Sequence, residues 1–147
     1  MLVGFTNGCF DCFHEGHLHF IDKCLQMAEY LIVAVNTDES VSMLKGNDRP
    51  KFRVFQRLNS VLMWRDFGRR KSIGIPFDGD PKPLLQAIKP DILFRGEDQT
   101  ITDFERAMFC DRIVVIPRLP GFSTTEELAK LDVDGLRFRK LPTEMSE

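Results

Sequence analysis

The sequence predicts a Rossmann-like α/β fold, three layers deep, with a five-stranded parallel sheet between helices. Three observations predict it. Short β-branched runs alternate with stretches of helical periodicity, the signature of a parallel sheet with helices on both faces. One of these runs, Tyr30-Leu-Ile-Val-Ala-Val35, is apolar without interruption, as in a strand buried on both sides. Polar, glycine-bearing segments follow the runs, at the strand ends where such sheets bind ligands.

The elements follow in order. Leu2 to Thr6 is a first strand, and Gly16 to Ala28 a helix with Leu18, Ile21, Leu25 and Ala28 at helical spacing. Tyr30 to Val35 is the second strand. Asp38 is expected to cap a short helix ending at Leu44, and Val54 to Trp64 forms the next. Ser72 to Phe77 is the third strand, and Pro81 to Lys89 a helix with proline in its first turn. Asp91 to Phe94 and Arg112 to Ile116 are the fourth and fifth strands, and Thr124 to Leu131 a closing helix. No repeat, linker or low-complexity segment interrupts this order. The 147 residues suit one domain, over 1–131, with a polar tail over 132–147.

Composition narrows the function. The net charge of −2, with both signs mixed, argues against a dedicated nucleic-acid surface, despite a local basic cluster at Arg65 to Lys71. No apolar run is long enough to span a membrane. The N-terminus enters a strand directly, without a basic region or cleavage site, so a cytoplasmic protein is expected. Cys9 and Cys12 are spaced C-x-x-C, open to a zinc or redox reading. Cys24 and Cys110 do not supply the second pair that zinc would want, and free thiols in a reducing compartment are the simpler expectation.

The most informative stretch is Asn7-Gly-Cys-Phe-Asp-Cys-Phe-His-Glu-Gly-His17, between the first strand and the first helix. His14 and His17, three apart on a helical turn, share a face at a helix start, where free N–H groups and the dipole favour an anion. Gly8 is expected to give a tight turn and close backbone approach to a ligand. Imidazole donors on an α-phosphate stabilise the charge of a pentacoordinate transition state more than the ground state. Capping or packing is the structural alternative for a lone pair of histidines. Gly8, Asp11 and Gly16 in register favour phosphoryl or nucleotidyl chemistry.

Other segments converge on the same sheet edge: Asn36-Thr-Asp38, Arg95-Gly-Glu-Asp98 and Pro117 to Thr125. Leu44-Lys-Gly-Asn-Asp-Arg-Pro50 is a basic, glycine-containing loop. Its Lys45 either neutralises phosphate or sits on a solvated turn; Arg57, on the next helix, either reaches the same charge or lies exposed. In Arg118-Leu-Pro-Gly-Phe-Ser-Thr-Thr125, Ser123 and Glu126 make a capping box. Arg118, Thr124 and Thr125 are better explained by a phosphate or ribose at that helix start.

The N-G-C-F-D-x-x-H-x-G-H stretch and the G-F-S-T-T loop resemble the cytidylyltransferase-like nucleotidyltransferases, over nearly the whole chain to about Leu131. Within that family, Val33 to Val41, Leu44-Lys-Gly46 with Arg49-Pro50, Phe77 to Pro81 and Ile88 to Asp91 look like the adenylyltransferase of ADP-heptose synthesis. Glycerol-3-phosphate cytidylyltransferases share the two motifs but usually lack the L-K-G-x-x-R-P run. The resemblance implies His14, His17 and Lys45 as catalytic groups. It implies nucleotide contacts from Gly8, Cys9, Phe10, Arg95, Gly96, Asp98, Arg118, Phe122, Ser123, Thr124 and Thr125. Asp11, Asp38, Lys45 and Arg57 would face the phosphorylated sugar or alcohol. ATP or CTP would enter with Mg2+, no metal would be held by the protein itself, and a homodimer is implied. One departure stands out: the heptose enzymes usually carry K-G-x-D-Y after the fourth strand, where this chain has Arg95-Gly-Glu-Asp-Gln99. A non-catalytic nucleotide-binding protein is the alternative of another class.

Overall fold

The computed structural model of the protein describes residues 1–63 and 71–120. Its elements are β1 (Val3–Gly8), α1 (Glu15–Met27), β2 (Tyr30–Asn36), α2 (Asp38–Lys45), α3 (Val54–Met63), β3 (Lys71–Phe77), α4 (Lys82–Ile88), β4 (Ile92–Gly96), α5 (Asp103–Met108) and β5 (Ile113–Ile116). The five strands form one sheet in the order β3-β2-β1-β4-β5, every neighbouring pair parallel. The α/β class read from the sequence is therefore the observed one.

Side-chain alternation along the strands feeds two cores. Leu31, Val33 and Val35 of β2, with Ile92 and Phe94 of β4, pack with Ile21, Cys24 and Leu25 of α1 and with Val54, Leu58 and Val61 of α3. The opposite parity, Phe5, Ala34 and Leu93, packs with Leu85 of α4 and Phe104 and Met108 of α5. A period of two in the strands and about 3.6 in the helices sorts the apolar residues into these layers.

The chain winds outward from β1 through β2 to β3, then returns to the other side of β1 for β4 and β5. This is the switch point where a crevice opens beyond the strand ends. The pairing makes the opening visible. β1 and β2 are in register from Val3↔Tyr30 to Gly8↔Val35, whereas β1 meets β4 only at Gly4↔Ile92 and Phe5↔Leu93. Beyond these pairs, Thr6 Oγ1 donates to the Phe94 carbonyl at 3.1 Å, and the two strands part.

Gly4 allows the close approach of β1 to its neighbours. A Cβ there would lie 2.5 Å from Phe94 Cε2 and 3.0 Å from the Ala28 Cβ. Both belong to the packed interior, so Gly4→Ala is expected to cost about 1–3 kcal/mol through overpacking. Thermal melting should fall by several degrees.

Two local expectations change. Thr37, not Asp38, caps α2: its side chain accepts from the Ser40 N–H, and Asp38 is the first helical residue. The short helix α5 was not foreseen, although its capping box, Thr102 with Glu105, is written in the sequence. The expected helix over 124–131, the tail from Asp132 and the basic cluster preceding Lys71 lie outside the described residues. Among the described residues, no helix is long and apolar enough to cross a membrane.

Candidate active site

Between β1 and α1 the chain makes a turn in which Phe10 (φ 50°) and Cys12 (φ 52°) adopt left-handed backbone. For non-glycine residues this conformation is strained and persists only where the surroundings enforce it. Here Phe10 and Phe13 are buried in the α1–α3 core. Asp11 between them is 1% exposed. It accepts from the N–H groups of Cys12, Lys51 and Phe52 and from Arg49 Nε. Gly8 does not make the turn, as the sequence had suggested. It belongs to β1, and a Cβ there would meet the Phe10 ring at 3.1 Å.

The turn delivers two imidazoles to the start of α1. His14 is the N-cap, and its Nδ1 accepts from the Gly16 N–H at 3.0 Å. His17, three residues on, returns the bond: its Nδ1 accepts from the His14 N–H at 3.2 Å. The rings stack at 3.8 Å between centroids. This is a capping box built from histidines, and it has a chemical consequence. A nitrogen that accepts from a backbone N–H carries no proton, so each neutral ring holds its proton on Nε2. Both rings are thereby set as Nε2–H donors at the positive end of a helix dipole.

These groups line a cavity of about 580 Å³, a suitable size for a nucleotide-sized ligand. Every strand end contributes to it. β1 supplies Asn7 and Gly8, followed by Cys9, Phe10, His14 and His17; β2 supplies Asn36. Lys45 enters from the end of α2, and Gly79 follows β3. Gly96 to Gln99 close β4, and Ile116 to Leu119, with Arg118, close β5. Glu97 ties the last two segments together by accepting from the Arg118 N–H at 2.9 Å. The expected convergence of separate loops on one crevice thus holds for the residues described. The wall carries cationic Lys45 and Arg118 as well as acidic Glu97 and Asp98. Gln99 and Gly79, which the sequence marked only as parts of the Arg95 to Gln99 and Phe77 to Pro81 segments and not as ligand contacts, also stand in the wall, where the strand-end rule would have pointed to both.

Four residues expected at the ligand are engaged elsewhere. Asp11 is consumed in holding the turn to the Arg49–Phe52 segment. Arg57 is neither exposed nor in the cavity wall. It is 1% exposed. Its guanidinium donates to the carbonyls of Phe52, Cys9 and Asn36 and to Asp38 Oδ1, all at 2.7–2.8 Å. Asp38 is the acidic partner of this clamp. Arg95 is buried and turned to the opposite face of the sheet, paired with Glu105 of α5. Phe122, Ser123, Thr124 and Thr125 lie outside the described residues.

The cysteines of this region are free thiols. Cys12 is buried, and Cys9 Sγ donates to Asn36 Oδ1 at 3.6 Å. Burial pushes the Cys9 thiol above its ordinary range, against the lowering effect of Lys45, Arg57 and Arg49. A thiol held protonated is a poor nucleophile and a poor metal ligand. Among the described residues, no three His, Cys, Asp or Glu side chains gather into a metal-binding group.

Stacked imidazole donors, a helix N-terminus and a lysine, gathered at the switch point of a doubly wound parallel sheet, define an α/β protein built to handle nucleotide phosphates. The chain belongs to the cytidylyltransferase-like family, whose model matches residues 5–133. It is 38% identical over 132 residues to the bifunctional protein HldE of Campylobacter jejuni, covering 88% of this chain and 27% of that protein. The HldE of Acidiphilium cryptum is 35% identical over 140 residues, with the same two coverages. The chain thus spans only about 27% of the length of these relatives. In fold it is similar to the lipopolysaccharide core biosynthesis protein of Thermoplasma volcanium. The TM-score is 0.65 at 24% identity, over 81% of this chain and 98% of that one.

Proposed function

We propose that the chain transfers an adenylyl group from ATP to a sugar 1-phosphate, D-glycero-D-manno-heptose 1-phosphate, giving an ADP-sugar and pyrophosphate. The observation that carries the reading is the reciprocal histidine cap, which keeps the ring proton on Nε2 in two imidazoles that line the cavity at the α1 N-terminus. A phosphate oxygen of the sugar attacks the α-phosphorus in line. The bond to the bridging oxygen breaks, and the electron pair leaves with pyrophosphate. Donors fixed before the reaction stabilise the charge that develops on the α-phosphoryl oxygens. Positioning and charge neutralisation suffice, so no covalent enzyme intermediate is required. Magnesium enters with the triphosphate, whose hard oxygens are its natural ligands. Glu97 and Asp98 are the carboxylates in the wall that would meet its hydration shell.

The heptose assignment is supported by the L-K-G-x-x-R-P run and by relatives named as bifunctional, of which this chain matches one part. On this reading residues 1–131 are the transferase domain and 132–147 a polar tail. Phe122 to Thr125 complete the nucleotide site, and a homodimer is the working form. A cytidylyltransferase acting on glycerol 3-phosphate is the second reading. It is favoured by Arg95-Gly-Glu-Asp-Gln99, where the heptose enzymes usually have K-G-x-D-Y. Pyrophosphate release from ATP and CTP, each offered heptose 1-phosphate and glycerol 3-phosphate, separates them. Turnover with ATP and the heptose supports the first; turnover confined to CTP sinks it.

Lys45 is exposed at the end of α2, so Lys45→Ala should leave melting nearly unchanged. Losing a charge-assisted phosphate contact should raise the KM of the phosphate ligand it serves by roughly 10- to 100-fold. Steady-state kinetics with each substrate varied in turn will show which ligand that is.

A further inference from the structure

We propose that Asn7 is a specificity-determining residue whose carboxamide oxygen accepts a hydrogen bond from a hydroxyl or amino group of the bound nucleotide or sugar. The proposal rests on the nucleotidyl-transfer reading of the cavity. Asn7 stands near the end of β1, opposite Ala34 of β2, and lines the cavity. Its Oδ1 is buried and has no hydrogen-bond partner among the described residues. Asn36, on the neighbouring strand end, makes the contrast. Its Oδ1 accepts from Cys9 Sγ, and its Nδ2 donates to Ser40 Oγ at 3.2 Å, so that amide serves the fold.

Buried polar atoms in native proteins are bonded with few exceptions, and the exceptions call for a reason. The reason at Asn7 lies in the division of the cavity. His14, His17, Lys45 and Arg118 offer donors and positive charge, which suit phosphate. Phosphate oxygens only accept at neutral pH, as does a carboxamide oxygen, so phosphate is not the complement of Asn7 Oδ1. A ribose or sugar hydroxyl, or a base amine, is. The backbone around it is held in place from β4. Gln99 Nε2 donates to the Asn7 carbonyl at 3.3 Å, while Gln99 Oε1 accepts from the Gly96 N–H at 2.7 Å. This strap fixes the Asn7 backbone where the two strands part, before any ligand arrives.

The test is calorimetric binding of ATP, CTP and heptose 1-phosphate to the wild-type protein, Asn7→Ala and Asn7→Val, with thermal melting of each. Valine suits a strand and covers the case in which alanine folds poorly. Since the lost oxygen has no partner among the described residues, a variant should melt close to the wild type. It should bind one class of ligand about tenfold more weakly, the loss of one hydrogen bond. A loss confined to the nucleotides puts the donor on the nucleotide; one confined to the heptose puts it on the sugar. Unchanged affinity for every ligand in a folded variant overturns the proposal. So does a lowered melting temperature with all ligands weakened alike, the mark of a structural role. Should the wild-type protein bind none of the three, the reading of the cavity falls, and this assignment with it.

Discussion

Replacing His17 with glutamine is expected to lower turnover at saturating substrates by on the order of 100-fold or more, as loss of an oxyanion donor does elsewhere. The substitution is chosen for the cap. His17 is the third residue of α1 and accepts from the His14 N–H. Glutamine at that position closes a capping box as well as histidine does, so the helix start and the melting temperature should survive. His14→Asn applies the same logic at the N-cap, where asparagine is among the preferred residues. Each variant keeps the acceptor that closes the cap and removes the imidazole, but leaves an amide N–H₂ in place of the ring Nε2–H; His17→Glu closes the same box with no N–H at all. Near-normal turnover in all three variants would leave the pair with a purely structural role, and the proposed chemistry would have to move elsewhere in the cavity.

The second large effect is on stability. Arg57→Met is expected to cost about 3 kcal/mol or more, because removing a buried cation strands the acceptors it satisfied. Those acceptors are the carbonyls of Cys9, Asn36 and Phe52 and the carboxylate of Asp38. Asp38, with 35% of its side chain exposed, can turn to water; the carbonyls are less free to do so. For a chain of this size the melting temperature should fall by roughly 6–12 °C. Asp38→Asn, which leaves the three carbonyl bonds in place, should cost far less. Arg57 joins the ends of β1 and β2 to the segment before α3, so its loss should also slacken the turn that carries the histidines. A variant that melts like the wild type would remove Arg57 from this role.

Periodicity made the sheet legible. The unbroken apolar run of β2 and the helical spacing of Leu18, Ile21 and Leu25 located the layers, and the polar segments at the strand ends located the crevice. The destination of long charged side chains was less legible. Arg57 and Arg95 each sit beside the site in sequence, yet the guanidinium of each is spent on protein acceptors. For Arg95 a clue existed. Ile92 and Phe94 face the α1–α3 core while Leu93 faces the other. Strand alternation then places Arg95 on the Leu93 side, away from α1. Its partner Glu105 was hidden because α5 is too short for periodicity to reveal. Its capping box was the only local signal. The left-handed Phe10 and Cys12 were illegible for a different reason. Neither residue favours that conformation; among the described residues, the packing of Phe10 and Phe13 and the bonds of Asp11 hold it.

Nitrogen-15 NMR of the two imidazoles, without and with ATP, tests the central claim most directly. Reciprocal capping predicts that His14 and His17 both carry the ring proton on Nε2, with Nδ1 unprotonated. Added ATP should shift the Nε2 signals strongly and the Nδ1 signals little, as the phosphate accepts from the outer nitrogens. A ring proton on Nδ1 of either residue, or Nε2 signals unmoved by saturating ATP, would contradict the account.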